Sequence, residues 1–122
     1  MSLRRWDLAW ASLDPTQGHE QAGRRPVLIF SNDSISAAIG LVAVLPLTTW
    51  RKERRVYPTE VLLKADIAGL AADSLVLCHQ LRTVSAERLS PAFARLAGPA
   101  KKTAVDRAVR LWLDLRVPTA GA

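Results

Sequence analysis

Cysteine and histidine are scarce in this sequence, and their scarcity excludes several kinds of site. Cys78 is the only cysteine, so no intramolecular disulfide can form, and a reducing compartment is indicated. His19 and His79 are the only histidines and lie far apart in the sequence, so no cysteine–histidine cluster has the spacing of metal ligands. We therefore predict a protein without a disulfide, a metal ion or another cofactor.

Long hydrophobic runs are also missing. Residues 1–7 have no apolar core of the kind found in signal peptides. The longest apolar stretch, around residues 41–47, is far too short to span a bilayer. These absences predict a protein that has no membrane segment and is located in the cytoplasm.

The sequence does contain a globular composition with an excess of positive charge. Its 122 residues are 49% hydrophobic and 23% charged, which predicts one domain over residues 1–122, with a core at 6–115 and a frayed tail at 116–122. The net charge is +6. A cationic surface suits a polyanionic partner, although such a charge also serves solubility alone in many proteins. A chain of this length would gain stability from a dimer interface.

Short apolar segments separated by turn residues predict a sheet. Strands are predicted at residues 6–13, 26–30, 40–47, 56–63, 74–79 and 81–84, with loops at 14–25 and 66–73 and a short helical turn at 34–39. Pro46 has no backbone N–H, which predicts an interruption of the hydrogen bonding within its strand.

The C-terminal segment differs from the rest of the chain. After Pro99, residues 100–115 contain neither glycine nor proline, and apolar residues recur every three or four positions, at Val105, Ala108, Val109, Trp112 and Leu115. This pattern predicts one amphipathic helix over residues 99–115. The order of elements predicts a mostly β fold, a small antiparallel barrel or curled sheet with a C-terminal helix.

The most informative motif precedes the second predicted strand. It reads His-Glu-Gln-Ala-Gly-Arg-Arg-Pro over residues 19–26, so that a polar loop carries Glu20 and Arg25 to the mouth of an apolar strand. A carboxylate and a guanidinium suit acid–base and phosphate chemistry.

Further motifs occur in a fixed order around this one. They are Leu-Asp-Pro-Thr at residues 13–16, Leu-Pro-Leu-Thr-Thr at 45–49, Tyr-Pro-Thr-Glu-Val at 57–61 and Asp-Ser-Leu-Val-Leu-Cys-His-Gln-Leu-Arg-Thr-Val at 73–84. Taken together, the chain from about residue 6 to residue 115 resembles the MazF/PemK toxin family of endoribonucleases.

The resemblance implies an SH3-like barrel that forms a homodimer. It implies the toxin of a type II toxin–antitoxin system, a sequence-selective, metal-independent endoribonuclease that cuts single-stranded RNA and so inhibits translation and growth. In this reaction the 2′-hydroxyl attacks the adjacent phosphate and leaves a 2′,3′-cyclic phosphate and a 5′-hydroxyl. The implied partners are RNA and an acidic, partly disordered, MazE-like antitoxin, through which alone the toxin would reach promoter DNA.

The resemblance also assigns catalytic residues. Arg25 matches the catalytic arginine of the family, and its planar guanidinium can contact two phosphate oxygens at once. Thr48 matches an active-site threonine that can hydrogen-bond the phosphate. Glu20 matches an acid in the same loop and is assigned to proton transfer or to RNA positioning. Without the resemblance, Glu20 could equally form a surface pair with Arg24, and Thr48 could serve only the strand.

Other residues are assigned to RNA binding, and these are His19, Gln21, Arg24, Thr49, Trp50, Arg51, His79 and Gln80. Residues 51–55 are interpreted as a mobile cationic loop beside an aromatic residue, a combination that suits single-stranded nucleic acid, with a merely solvated loop as the alternative. His79 stands where family members often carry an acid, so it is either an RNA contact or a partly buried histidine. Trp6, Trp10 and Trp112 are assigned to the core or to a dimer interface, and Cys78 is interpreted as a buried apolar residue.

Two other functions remain open at this point. A CcdB-like protein shares the architecture but poisons DNA gyrase without being an enzyme, and the intact motif at residues 20–26 argues against it. A basic RNA-binding module that has lost catalysis is the other alternative, and the replacement of an acid by His79 is its support.

Overall fold

The computed structural model describes residues 3–116 and shows a curled antiparallel sheet against which one long helix packs. The strands are β1 Asp7–Ser12, β2 Arg24–Ile29, β3 Leu41–Thr49, β4 Glu60–Leu63, β5 Ser74–Leu77, β6 Arg82–Ser85 and β7 Ala94–Arg95. The helices are α1 Asp33–Ile39, α2 Ala65–Ala68 and α3 Pro99–Trp112, and two 3₁₀ turns lie at Cys78–Gln80 and Ala86–Arg88.

Strand β3 organises the sheet because it pairs with three other strands. The strand order is β4-β5-β3-β2-β1-β7, with β6 also on β3, and every pairing is antiparallel. On one edge of β3, residues 41–44 pair with β6 and residues 47–49 pair with β5. Pro46 lies between these two segments, where the partner on that edge changes, while on the other edge of β3 Pro46 pairs with Val27 of β2.

The curled sheet buries apolar side chains on both of its faces. One cluster fills the space between the sheet and α3, and it contains Leu8, Leu28, Leu45, Leu47, Val61, Leu63, Val76, Cys78, Leu96, Val105, Ala108 and Val109. The other lies on the opposite face and contains Ala11, Leu13, Val27, Ile29, Val42, Val44, Val84 and Leu89. Burying both faces of the strands explains why they appear in the sequence as nearly continuous apolar runs.

The predicted mostly β fold with a C-terminal helix is confirmed, while several boundaries were wrong. Residues 65–68 of the chain form helix α2, which ends at Gly69 in the left-handed conformation (φ 64°), so the loop predicted for residues 66–73 begins too early. Strand β4 begins only at Glu60, because residues 57–60 form a turn closed by the bond from Glu60 N to Tyr57 O. Strand β5 ends at Leu77, where the chain enters a 3₁₀ turn.

The C-terminal helix is confirmed but is shorter than predicted. It begins at Pro99, buries Val105, Ala108 and Val109, and ends at Trp112, so Leu115 lies beyond it and is exposed. The predicted frayed tail lies outside the described residues from residue 117 onwards. Within residues 3–116, no helix has the length and hydropathy needed to cross a membrane.

Candidate functional site

A polar pocket of about 350 Å³ opens where the β1–β2 loop meets the 3₁₀ turn Cys78–Gln80. Its lining comes from three parts of the chain: His19, Glu20 and Gln21 of the loop, Pro46 of β3, and His79, Gln80, Leu81 and Arg82. The fold thus brings both histidines of the sequence, which are far apart along the chain, into one pocket with a carboxylate and a guanidinium.

The β1–β2 loop is held in a defined shape by hydrogen bonds to its own backbone. Leu13 N donates to Gly23 O at 2.9 Å, and Gly23 N donates to the Asp14 carboxylate at 3.0 Å. Gly23 has a φ of 75°, a conformation that glycine adopts without strain. The Glu20 carboxylate accepts from Gln17 N at 2.7 Å, which closes a tight turn at the tip of the loop.

Arg25 and Thr48 occupy the same side of the sheet as the floor of this pocket. The β2–β3 ladder ends where Val27 pairs with Pro46, and Arg25 and Thr48 each lie two residues beyond that pair. Because side chains alternate along a strand, these two residues share the face of Pro46, which lines the pocket. Arg25 Nε donates to Ala22 O at 3.0 Å, so its guanidinium rests against the β1–β2 loop.

The structure separates Arg24 and Thr49 from the polar pocket. The Arg24 guanidinium lies 5.1 Å from the centre of the Trp10 ring, in a cation–π contact, and Trp10 packs against Phe93. Thr49 lines a second, more apolar cavity of about 170 Å³ together with Trp10 and Phe93. Alternation along β2 and β3 explains this division, since Arg24 and Arg25 point to opposite faces.

The loop between β3 and β4 is anchored, which the interpretation as a mobile cationic loop did not foresee. Arg54 donates to both oxygens of Glu60, Nη1 at 3.1 Å and Nη2 at 2.8 Å, and Tyr57 N donates to the same carboxylate at 3.0 Å. The Trp50 indole donates to Arg54 O at 3.1 Å, and Lys64 lies 5.4 Å from the Trp50 ring centre. Arg51 is exposed.

Glu60 is only 5% exposed, so its charge depends on these partners. Burial by itself would raise the pKa of Glu60, but the hydrogen bonds from Arg54 and Tyr57 and the nearby positive charge outweigh it and hold the pKa below its ordinary value. The hydrogen bonds that Arg54 donates to Glu60 raise the pKa of Arg54. The ion pair between the buried Glu60 and the partly exposed Arg54 therefore stays charged at neutral pH and attaches the loop to β4.

His79 is fixed by contacts on two sides. Its Nδ1 shares a hydrogen bond with Thr59 Oγ1 at 3.0 Å, and its ring meets Trp112 edge-on with 6.2 Å between ring centres. Trp112 is 52% exposed, so of its two predicted places the core is wrong and the dimer interface stays a prediction. The side chain of Trp6 packs against the core, as predicted, in an edge contact with Phe30.

Several residues around the site could not be recognised in advance. Arg82 lines the pocket and donates to Leu13 O at 3.0 Å, and Thr59 and Glu60 hold the neighbouring segments. Their only signal was their place inside the motifs at 57–61 and 73–84.

Cys78 is buried, as predicted, and burial, with the negative charge of Glu60, raises the pKa of its thiol to about 12. In the described part of the chain, no three His, Cys, Asp or Glu side chains are grouped as a metal site.

Comparison with known proteins places this geometry in a family. The family model described as PemK-like, MazF-like toxin of type II toxin–antitoxin system matches residues 4–113. The chain is 34% identical over 118 residues to the endoribonuclease MazF9 of Mycobacterium tuberculosis, with 93% of this chain and 98% of the relative covered. It is 33% identical over 115 residues to the endoribonuclease EndoA of Bacillus subtilis, with 94% and 97% covered.

Solved structures agree with the sequence relatives. MazF from Deinococcus radiodurans superposes with a TM-score of 0.76 at 28% identity, covering 93% of this chain and 97% of that one. A MazE–MazF complex from the same bacterium gives 0.72 at 26% identity, covering 93% and 98%. The fold implied by the sequence resemblance is therefore confirmed, and the chain belongs to the PemK-like, MazF-like toxins of type II toxin–antitoxin systems.

Proposed function

We propose that this protein is an endoribonuclease toxin that cuts single-stranded RNA at the polar pocket, without a metal ion. The observation that carries the proposal is the meeting of Glu20, His79 and Arg82 in one pocket. Arg25 and Thr48 do not line this pocket, but each lies two residues from the Val27–Pro46 pair, on the face of Pro46. Its relatives of similar length are named endoribonucleases, and the net charge of +6 suits a polyanionic substrate.

The proposed reaction is an internal phosphoryl transfer. The 2′-hydroxyl attacks its own phosphate, the 5′-oxygen of the next nucleotide leaves, and the products carry a 2′,3′-cyclic phosphate and a 5′-hydroxyl. Arg25 and Thr48 donate to the phosphate oxygens, where negative charge builds up. Glu20 takes the proton of the 2′-hydroxyl, and His79, placed where the family often has an acid, protonates the leaving oxygen.

Other predicted residues are proposed to guide the RNA outside the pocket. Trp50 and Arg51 lie on the β3–β4 loop, where an aromatic ring and a cation suit an unpaired base and its phosphate. Arg24 and Thr49 would meet RNA only where the strand passes the Trp10 side of the sheet. His19 and Gln21 line the pocket and would contact the nucleotides next to the cut.

Cleavage of a long single-stranded RNA in the presence of EDTA tests the activity. Wild-type protein should cut at defined sites and leave cyclic phosphate ends. Arg25→Ala and Arg25→Lys should reduce the rate by about 10²-fold or more, because neither variant can donate twice to the phosphate. Arg24→Ala is the matched control and should lose far less. Wild-type protein without activity, or Arg25→Ala with unchanged activity, would refute the proposal.

The same preparation distinguishes the alternative functions. A CcdB-like protein should inhibit supercoiling by DNA gyrase, whereas the proposed nuclease should leave gyrase unaffected. Tight RNA binding without cleavage would instead indicate a module that has lost catalysis. The endoribonuclease names of the relatives favour the nuclease.

Two protein partners are also proposed. Leu111, Trp112, Leu113 and Leu115 leave an apolar surface at the end of α3, and an identical subunit that covers it would form the homodimer implied by the resemblance. The MazE–MazF complex from Deinococcus radiodurans supports an antitoxin as the second partner. An acidic, partly disordered segment of the antitoxin would suit the cationic surface of the toxin. We place the action of the toxin in the cytoplasm. Light scattering of the purified toxin, with and without a co-expressed antitoxin, measures both assemblies.

A further inference from the structure

The 3₁₀ turn Cys78–Gln80 joins two segments that are distant from it in the sequence. On one side, Cys78 N donates to Thr59 O at 3.0 Å, and His79 Nδ1 shares a hydrogen bond with Thr59 Oγ1 at 3.0 Å. On the other side, Gln80 Oε1 accepts from Gln21 N at 2.7 Å, and Gln80 Nε2 donates to His19 O at 3.1 Å. A single carboxamide therefore binds the backbone immediately before and immediately after Glu20.

We propose that Gln80 is a positioning residue that fixes the segment carrying Glu20 against the polar pocket. This inference rests on the proposed function of that pocket. The sequence resemblance implied that Gln80 contacts RNA, but both of its polar atoms are engaged by the protein backbone. In this role Gln80 acts on the reaction through the loop.

We call the two hydrogen bonds that join the Gln80 side chain to Gln21 N and His19 O the clamp. The remaining hydrogen bonds of the loop tip show why the clamp matters. Within the described residues, the other hydrogen bonds of segment 17–22 stay within the β1–β2 loop or reach only the start of β2: Gln17 N to Glu20, Glu20 N to Gln17 O, and Arg25 Nε to Ala22 O. These bonds shape the loop, but they do not attach its tip to the rest of the pocket. The bonds from Gln80 do so across 59 and 61 residues of sequence.

The clamp needs a donor and an acceptor in the same side chain. A methionine at this position has a similar length but can replace neither bond. An ionised glutamate keeps the acceptor for Gln21 N but places a negative oxygen against His19 O. A protonated glutamate regains an O–H donor and so restores both bonds.

Three variants test the proposal: Gln80→Met, Gln80→Glu and, as the matched control in the β1–β2 loop, Gln17→Met. The control carboxamide makes no hydrogen bond to the described residues. Gln80→Met should lower kcat for single-stranded RNA on the order of 10–100-fold, because small displacements of a reacting group cost this much. Its KM should change far less, and Gln17→Met should stay within about twofold of wild type.

The pH dependence of Gln80→Glu separates positioning from a general structural effect. The rate of this variant relative to wild type should rise as the pH falls from about 6 to about 4, because the introduced carboxyl gains its proton near the ordinary glutamate pKa of about 4.3. The relative rate of Gln80→Met should stay flat over the same range. The proposal would be overturned if the rate of Gln80→Glu relative to wild type did not rise at lower pH. It would also be overturned if Gln80→Met kept the kcat of wild type.

A measurement that does not depend on cleavage tests the clamp itself. Hydrogen exchange of the Gln21 amide, followed by NMR, should accelerate about fivefold or more in Gln80→Met, as expected for the loss of one net hydrogen bond. The Leu13 amide, which donates to Gly23 O, serves as the internal reference. If wild-type protein cuts no RNA, the proposed function is refuted, but the exchange rate of the Gln21 amide still tests whether Gln80 holds the loop. If wild type cuts RNA and the Gln21 exchange rate is unchanged, the clamp fails alone.

Discussion

Replacing Glu60 by glutamine should destabilise the protein by about 2 kcal/mol at neutral pH. Glu60 is 5% exposed and accepts three hydrogen bonds, two from Arg54 and one from Tyr57 N. Glutamine keeps one oxygen for the two bonds that meet at Oε1, but its amide group faces Arg54 Nη2 and the 2.8 Å bond is lost. One charge-assisted bond is worth about 1.5–3 kcal/mol, and the lower part of that range applies because the Arg54 side chain is 38% exposed.

Thermal unfolding measures this loss. An unfolding entropy of about 2.1 cal/mol/K per residue gives roughly 0.26 kcal/mol/K for this chain, so the variant should melt about 8 °C below wild type. Glu53→Gln is the matched control, because Glu53 is exposed in the same loop and makes no hydrogen bond to the described residues. It should stay within about 0.5 kcal/mol of wild type.

The same variant has a defined pH dependence. The pKa of Glu60 is lowered in the folded protein, so its stabilising contribution is complete above the unfolded pKa of about 4.3 and disappears as the pH falls through the lower folded value. The difference in stability between wild type and Glu60→Gln should therefore be constant above about pH 5 and shrink below it. Equal stabilities at neutral pH, or a difference that grows on acidification, would refute the role given to this ion pair.

Two further predictions concern the neighbours of the pocket. Thr59→Val removes the hydrogen bond that fixes the His79 ring, so the rate of RNA cleavage should fall by about fivefold. The unfolding curve of the variant should stay close to that of wild type. An unchanged cleavage rate would contradict the positioning of His79. Burial, reinforced by the charge of Glu60, raises the pKa of Cys78 to about 12, so iodoacetamide should not label the native protein at pH 8 but should label it fully in denaturant, as judged by mass spectrometry. Rapid labelling of the native protein would show that the thiol is accessible.

The sequence was sufficient for features that depend on short stretches of chain. The spacing of Val105, Ala108 and Val109 predicted the buried side of α3, and the apolar runs predicted most of the strands. Boundaries failed where a turn competes with strand propensity, as at residues 57–60 and at Cys78–Gln80. There a hydrogen bond to the backbone or to a distant side chain decides the conformation, and neither is visible as a periodic pattern.

The candidate site was predicted as a set of residues but not as an arrangement. Arg25, Thr48, Glu20 and His79 were named from motifs, and the catalytic roles of the first three and the RNA contact assigned to His79 stay predictions. Which of them share a pocket depended on the register of β2 and β3 and on the fold of two separate loops. The anchor between Arg54 and Glu60 was missed because a run of charged residues usually indicates a solvated loop.

The sequence by itself determined the order of the first six strands and the C-terminal helix, the absence of a second cysteine and the resemblance that leads to the family, but it did not predict β7 or α2. These properties follow from residue types and from their local spacing. Only the tertiary structure decided that His19 and His79 line one pocket and that Arg24 stacks on Trp10. It also decided that Gln80 hydrogen-bonds the backbone on both sides of Glu20. Those contacts join residues that are distant along the chain, so they exist only once strand register and turn geometry have been set by the packing of the whole sheet.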